Sequence, residues 1–202
     1  MSRKAAACCV IDAGLLYWRS MADLVTLDEY ATLERPNVEF LVKDLFPKPG
    51  LVLLLGEAGA GKSFLALQLA LAVAQGKKFW KSDTKQGNVL YFQFDMGEMV
   101  VRHRMQTLKA SGVDITGPVY TLHPATAPKA MNIMNPYDLA VLRNAVEKAN
   151  PELVIFDVMR EMHNADEDSS TEMKPVGDAI ASLVSGRACL ILHHSKKTSR
   201  FE

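Results

Sequence analysis

The 202-residue chain reads as an α/β domain, a mostly parallel sheet with helices on both faces. Three observations predict it. From Pro36 onward, short apolar runs alternate with stretches of helical period. The segment Gly56-Glu57-Ala58-Gly59-Ala60-Gly61-Lys62-Ser63 lies between one such run and an apolar helix, and another run, Leu153-Val154-Ile155-Phe156, ends on Asp157. With 49% hydrophobic and 23% charged residues, the chain can bury a sizeable core.

Residues 1–35 read as an accessory segment and 36–202 as the core domain. Arg3 and Lys4 precede the apolar run Ala5 to Val10, a faint imitation of a signal peptide that Asp12 interrupts. The run is too short to span a bilayer, so no membrane contact is expected, and residues 1–20 read as a leader or an upstream extension. The strands are expected at Leu51 to Leu55, Val89 to Phe94, Val119 to Leu122, Leu153 to Phe156 and Ala188 to Leu192. Helices are expected at Lys62 to Gln75, Gly97 to Ser111, Pro136 to Asn150 and Thr171 to Ser185, three of them stopped by Gly76, Gly112 and Gly186. Two irregular stretches, His123 to Asn135 and His163 to Ser170, read as functional loops.

Lys plus Arg equals Asp plus Glu at 23 each, so contact with nucleic acid would need a local basic patch. Cys8, Cys9 and Cys189 show neither a disulfide framework nor zinc-ligand spacing, which suits a cytoplasmic protein.

The glycine-rich segment satisfies G-x-x-x-x-G-K-[ST] in the strand-to-helix context that its chemistry requires. Glycines let the backbone wrap a phosphate chain with N–H groups inward, and the helix behind adds unpaired donors and its positive dipole end. Gly56, Ala58, Gly59, Ala60, Gly61, Lys62, Ser63 and Phe64 are therefore the expected nucleotide contacts, for ATP with Mg²⁺. Lys62 would reach the β- and γ-phosphates, and the Ser63 hydroxyl and Asp157 would hold the metal. Asp95, ending the second strand, can polarise the attacking water or cap the next helix, and Glu98 stands one turn further on. His193 and His194 follow the last strand; adjacent strand residues point to opposite faces, so one faces the nucleotide and the other packs. Arg102, Arg104 and Arg143 read as solvated helix residues.

Taken together, the P-loop, the Val89-Leu90-Tyr91 strand ending in an acid, the Ile155-Phe156-Asp157 strand with its His-containing loop, and Leu192-His193-His194-Ser195-Lys196-Lys197 resemble the RecA-like ATPases. More narrowly, they are similar to the plasmid RepA-type hexameric helicases and related DnaB- and RadA/KaiC-like proteins. The likeness runs from about Val38 to Lys197. It implies a catalytic Glu where this chain has Asp95, with Glu98 as the fallback, a Walker B role for Asp157 and a sensor role for His194. It also implies a homo-oligomer, hexamer or filament, with nucleotide at the interface and a finger from a neighbour; Lys196, Lys197 and Arg200 are the candidates. Single-stranded DNA is the implied partner, although the implied channel or interface loop, His163 to Asp168, is acidic here. The resemblance implies later strands after the His-His segment; with the core expected to lack them, Leu51 to Leu55 is expected at or near a sheet edge unless Val38 to Val42 pairs there. Two activities follow as expectations: a helicase- or recombinase-type DNA-dependent ATPase, or a nucleotide-gated regulatory or loader ATPase with slow hydrolysis.

Overall fold

The computed structural model describes residues 9–12, 15–18, 24–33, 38–122 and 131–194. They fall in two units, Met1–Asn37 and Val38–Glu202. In the first, β1 (Cys9–Asp12) pairs antiparallel with β2 (Leu15–Trp18). The short helix α1 (Leu27–Thr32) starts at a capping box: the Thr26 hydroxyl accepts from the Glu29 N–H, and the Glu29 carboxylate accepts from the Thr26 N–H.

The second unit opens with a hairpin, β3 (Glu39–Val42) and β4 (Phe46–Lys48), turned at Asp44 with φ of 61°. It continues through β5 (Gly50–Gly56), α2 (Lys62–Gln75), β6 (Val89–Gln93), α3 (Glu98–Ala110) and β7 (Val119–Tyr120). The remaining elements are α4 (Pro136–Ala149), β8 (Leu153–Asp157), one 3-10 turn (Met159–Met162), α5 (Ser170–Leu183) and β9 (Ala188–His194). Five strands form one sheet in the order β5-β9-β8-β6-β7, each neighbouring pair parallel. This is the α/β architecture that the alternating runs predict.

Side-chain alternation divides the core between the two faces. On one, Val89, Tyr91, Leu153, Ile155 and Leu190 pack with Ala66, Leu69, Ala70 and Val73 of α2, and Met105 and Leu108 of α3 lean against them. On the other, Leu90, Phe92, Val154, Phe156 and Ile191 pack with Leu142 and Val146 of α4 and Val176 and Ile180 of α5. α2 is apolar on most of its circumference because it lies in the middle of its layer.

Leu51 to Leu55 lies at a sheet edge among the described strands, as expected, and one of the two expected loops also builds core. Val38 to Val42 does not cover the open side of β5: β3 pairs with β4 in a separate two-stranded sheet, and β5 ends the five-stranded one. The chain enters β5 straight from β4, and a Cβ on Gly50 would meet the Pro47 carbonyl oxygen at 2.6 Å, so that turn is too tight for anything bulkier. The stretch read as a loop from His123 to Asn135 also contributes core: Met131 and Ile133 are buried, and the Ile133 N–H donates to the Met162 carbonyl at 2.8 Å. Residues 123–130 lie outside the described residues.

Candidate active site

The phosphate loop joins β5 to α2 and turns through two left-handed residues, Gly59 at φ of 80° and Gly61 at φ of 84°. A side chain there would be strained, and neither glycine has another atom within 4 Å of where its Cβ would lie. Gly61 caps α2 without any side-chain bond to the first-turn N–H groups. Those donors and the positive end of the helix dipole are left open to an anion.

Lys62 is only 8% exposed. Its ammonium donates to the Gly56 carbonyl at 2.7 Å and the Glu57 carbonyl at 2.9 Å, and lies 3.2 Å from Nδ1 of His194. An ammonium has no lone pair, so Nδ1 is the acceptor and the neutral ring carries its proton on Nε2. The strand register explains the meeting: Gly56 stands opposite His194 and Leu55 opposite His193. His194 therefore lies beside the phosphate loop. His193 points to the other face, its Nδ1 3.7 Å from Oε1 of Glu167, which is also 3.8 Å from Nε2 of the buried His163. Burial lowers the His163 pKa from 6.5 against the opposing pull of Glu167.

Asp157 ends the central strand β8 and is fully buried. Its Oδ2 accepts from the Tyr91 hydroxyl at 2.7 Å, while Oδ1 has no hydrogen-bond partner. The phenol's pKa is raised well above 10.0, by burial first and by the Asp157 charge second.

A cleft of about 140 Å³ collects Gly59, Gly61, Lys62, Ser63, Phe64, Asp95, Arg104 and His194, with Met96 and Val158 beside them. Asp95 stands at its mouth and is exposed. The cap of α3 is Gly97, with no side-chain bond to the helix, so the capping role considered for Asp95 is not the one it plays. Glu98 lies outside the cleft lining and pairs with Arg102 on the exposed side of α3. The finger candidates Lys196, Lys197 and Arg200 fall outside the described residues.

Arg104 is the correction here. Read from sequence as solvated, it lines the cleft, and its guanidinium lies 4.6 Å from the centre of the Phe64 ring, a cation–π contact that holds it over the phosphate loop. Val101, Arg104, Met105 and Leu108 follow i, i+3, i+4, i+7 spacing and are all partly buried. A cation inside the inward stripe of an otherwise exposed helix is the signal that was there to find. Arg102 and Arg143 are as exposed as expected.

The residues present fit a Mg²⁺ ion accompanying a nucleotide. Ser63 and Asp157 supply hard oxygen donors, one of them an unpartnered buried carboxylate oxygen. Among the described residues, no group of three or more His, Cys, Asp or Glu side chains could hold a metal unaided. Phosphate oxygens would have to complete the shell, as is usual for Mg²⁺.

Fold and site together define a P-loop ATPase domain, with the phosphate loop and the strand-ending carboxylate on one edge of a parallel sheet. The chain belongs to the AAA domain family, whose model matches residues 19–200. That match takes in α1, which the resemblance read from sequence left outside. The crystal structure of a KaiC-like protein from the hyperthermophilic archaeon Pyrococcus horikoshii OT3 is similar in fold. Its TM-score is 0.50 over 78% of this chain and 67% of that one, at 15% identity. The fold is thus RecA-like. No helix among the described residues is long and apolar enough to cross a membrane.

Proposed function

We propose that this chain binds ATP with Mg²⁺ in the cleft and hydrolyses it, as a DNA-dependent ATPase of the helicase or recombinase kind that works as a homo-oligomer. The observation that carries the catalytic part is the convergence of Lys62 and Ser63 of α2, Asp95 of the β6–α3 loop, Arg104 of α3 and His194 of β9 on one cleft. Lys62 would exchange two neutral carbonyl acceptors for phosphate oxygens, a charge-assisted and stronger pairing. Arg104 would add charge on the γ-phosphate side, and Nε2–H of His194 would be free to donate to it. Ser63 and Asp157 would hold Mg²⁺, which when bound supplies charge neutralisation across the β- and γ-phosphates. Asp95 would orient the attacking water and take its proton as the bond to ADP breaks.

Association is supported by the resemblance and by chemistry: fingers that arrive from a neighbour are worth about a thousandfold or more in rate. Specific activity should then rise with protein concentration. A second reading, a nucleotide-gated regulatory or loader ATPase, is favoured by Asp95. An Asp where the family has Glu is one methylene short, and about an ångström of misplacement costs on the order of a hundredfold.

ATP turnover measured with and without single-stranded DNA separates the two. Stimulation by DNA supports the motor, and unchanged slow turnover supports the gated module. Lys62→Ala tests the shared premise. It should weaken ATP binding, hydrolysis or both, and a variant that kept both would overturn the site.

A further inference from the structure

Tyr91 is a buried titratable residue that neither phosphate binding nor proton transfer uses. It stands on β6 opposite Ile155, on the sheet face that α2 covers. Its hydroxyl reaches Oδ2 of Asp157 at 2.7 Å and the Ser63 backbone carbonyl at 3.4 Å. It therefore stands between the two residues expected to hold the metal. A phenol has one proton, and the shorter contact to a charged acceptor takes it. The acceptor is fully buried and keeps its other oxygen, Oδ1, unpartnered. A buried carboxylate oxygen without a partner is costly unless a cation, or water bound to one, faces it.

We propose that Tyr91 is a positioning residue for the metal: its hydroxyl fixes Oδ2 of Asp157 and so reserves Oδ1 for Mg²⁺ held jointly with Ser63. This inference rests on the reading of the cleft as a Mg²⁺–ATP site. Groups that orient a metal ligand in this way typically change metal affinity about ten- to a hundredfold when removed.

The experiment uses Tyr91→Phe in the full chain and has two readouts. The first is affinity for a fluorescent ATP analogue in EDTA. The second is affinity of the nucleotide complex for Mn²⁺, followed by electron paramagnetic resonance. Tyr91→Phe should bind nucleotide in EDTA like the parent and bind Mn²⁺ about ten- to a hundredfold more weakly. In an Asp157→Asn background the same change should have no further effect on Mn²⁺, because both substitutions remove one function. Parent-like Mn²⁺ affinity in Tyr91→Phe would overturn the inference. So would equal losses in EDTA and in Mn²⁺, which would show that the hydroxyl only packs. If the parent complex itself binds no Mn²⁺, the Mg²⁺–ATP reading fails first and takes this inference with it.

Discussion

Strands β5 and β8 are both continuous apolar runs and meet opposite fates in one sheet. β8 lies between β6 and β9, and all five of its residues are 0% exposed. β5 has only β9 beside it among the described strands, and Leu51, Leu53 and Leu55 remain 51%, 47% and 56% exposed. On its other face, Val52 and Leu54 border an apolar cavity of about 160 Å³ walled by Leu45, Phe79 and Trp80. Each strand delivers one anchor of the site: β8 ends on Asp157 and β5 leads into the phosphate loop. A carboxylate is held only by its surroundings, so Asp157 needs the close-packed centre of the sheet. The phosphate loop is held by its own glycine turns and backbone bonds, and tolerates a looser strand beneath it. A continuous apolar run states what a strand is able to bury, and the rest of the fold decides whether cover is supplied.

The sharpest test of that contrast is a matched pair of truncations. Ile155→Ala removes a fully buried side chain from β8 and should cost about 2–5 kcal/mol. Leu53→Ala removes one already half in water and should cost under about 1 kcal/mol. Urea denaturation measures both, and equal losses would show that the open face of β5 is covered in solution.

A smaller effect should come from the histidine buried beyond the end of β8. Because the folded-state pKa of His163 is lowered from 6.5, the unfolded chain takes up a proton first as pH falls. The stability it contributes is present in full above about pH 6.5 and declines below it, towards the lowered folded value. Parent protein should therefore lose more stability than His163→Gln across that interval. Parallel pH profiles would show that His163 does not titrate differently in the two states.

The smallest signal expected is at Cys189 on β9, between the two strands under comparison. Burial pushes its thiol up to about 12, so peptide mapping after iodoacetamide treatment should find it unmodified in the native protein. In Ile155→Ala its labelling should speed up with global opening, and in Leu53→Ala it should stay near parent. Faster labelling in Leu53→Ala would mean that the edge opens on its own.

Element types and the phosphate loop were legible in the sequence because both are local. Lys62 to Gln75 is helical as expected, with Gly61 turning the phosphate loop into it and Gly76 adopting the left-handed φ that ends a helix cleanly. Asp157 at the end of a strand follows from the apolar run before it, and the opposite facing of the two histidines that end β9 follows from period-two alternation. Which histidine faces the loop was decided by pairing register, Gly56 opposite His194, between residues far apart in the chain. The same long-range placement set β9 between β5 and β8, brought Arg104 of α3 over Phe64 of α2, and put the Tyr91 hydroxyl on Asp157. Local sequence determines backbone conformation because steric and capping interactions act within a turn or two of the chain. Juxtaposition depends on which strands pair and how helices pack, and only the tertiary structure decides that.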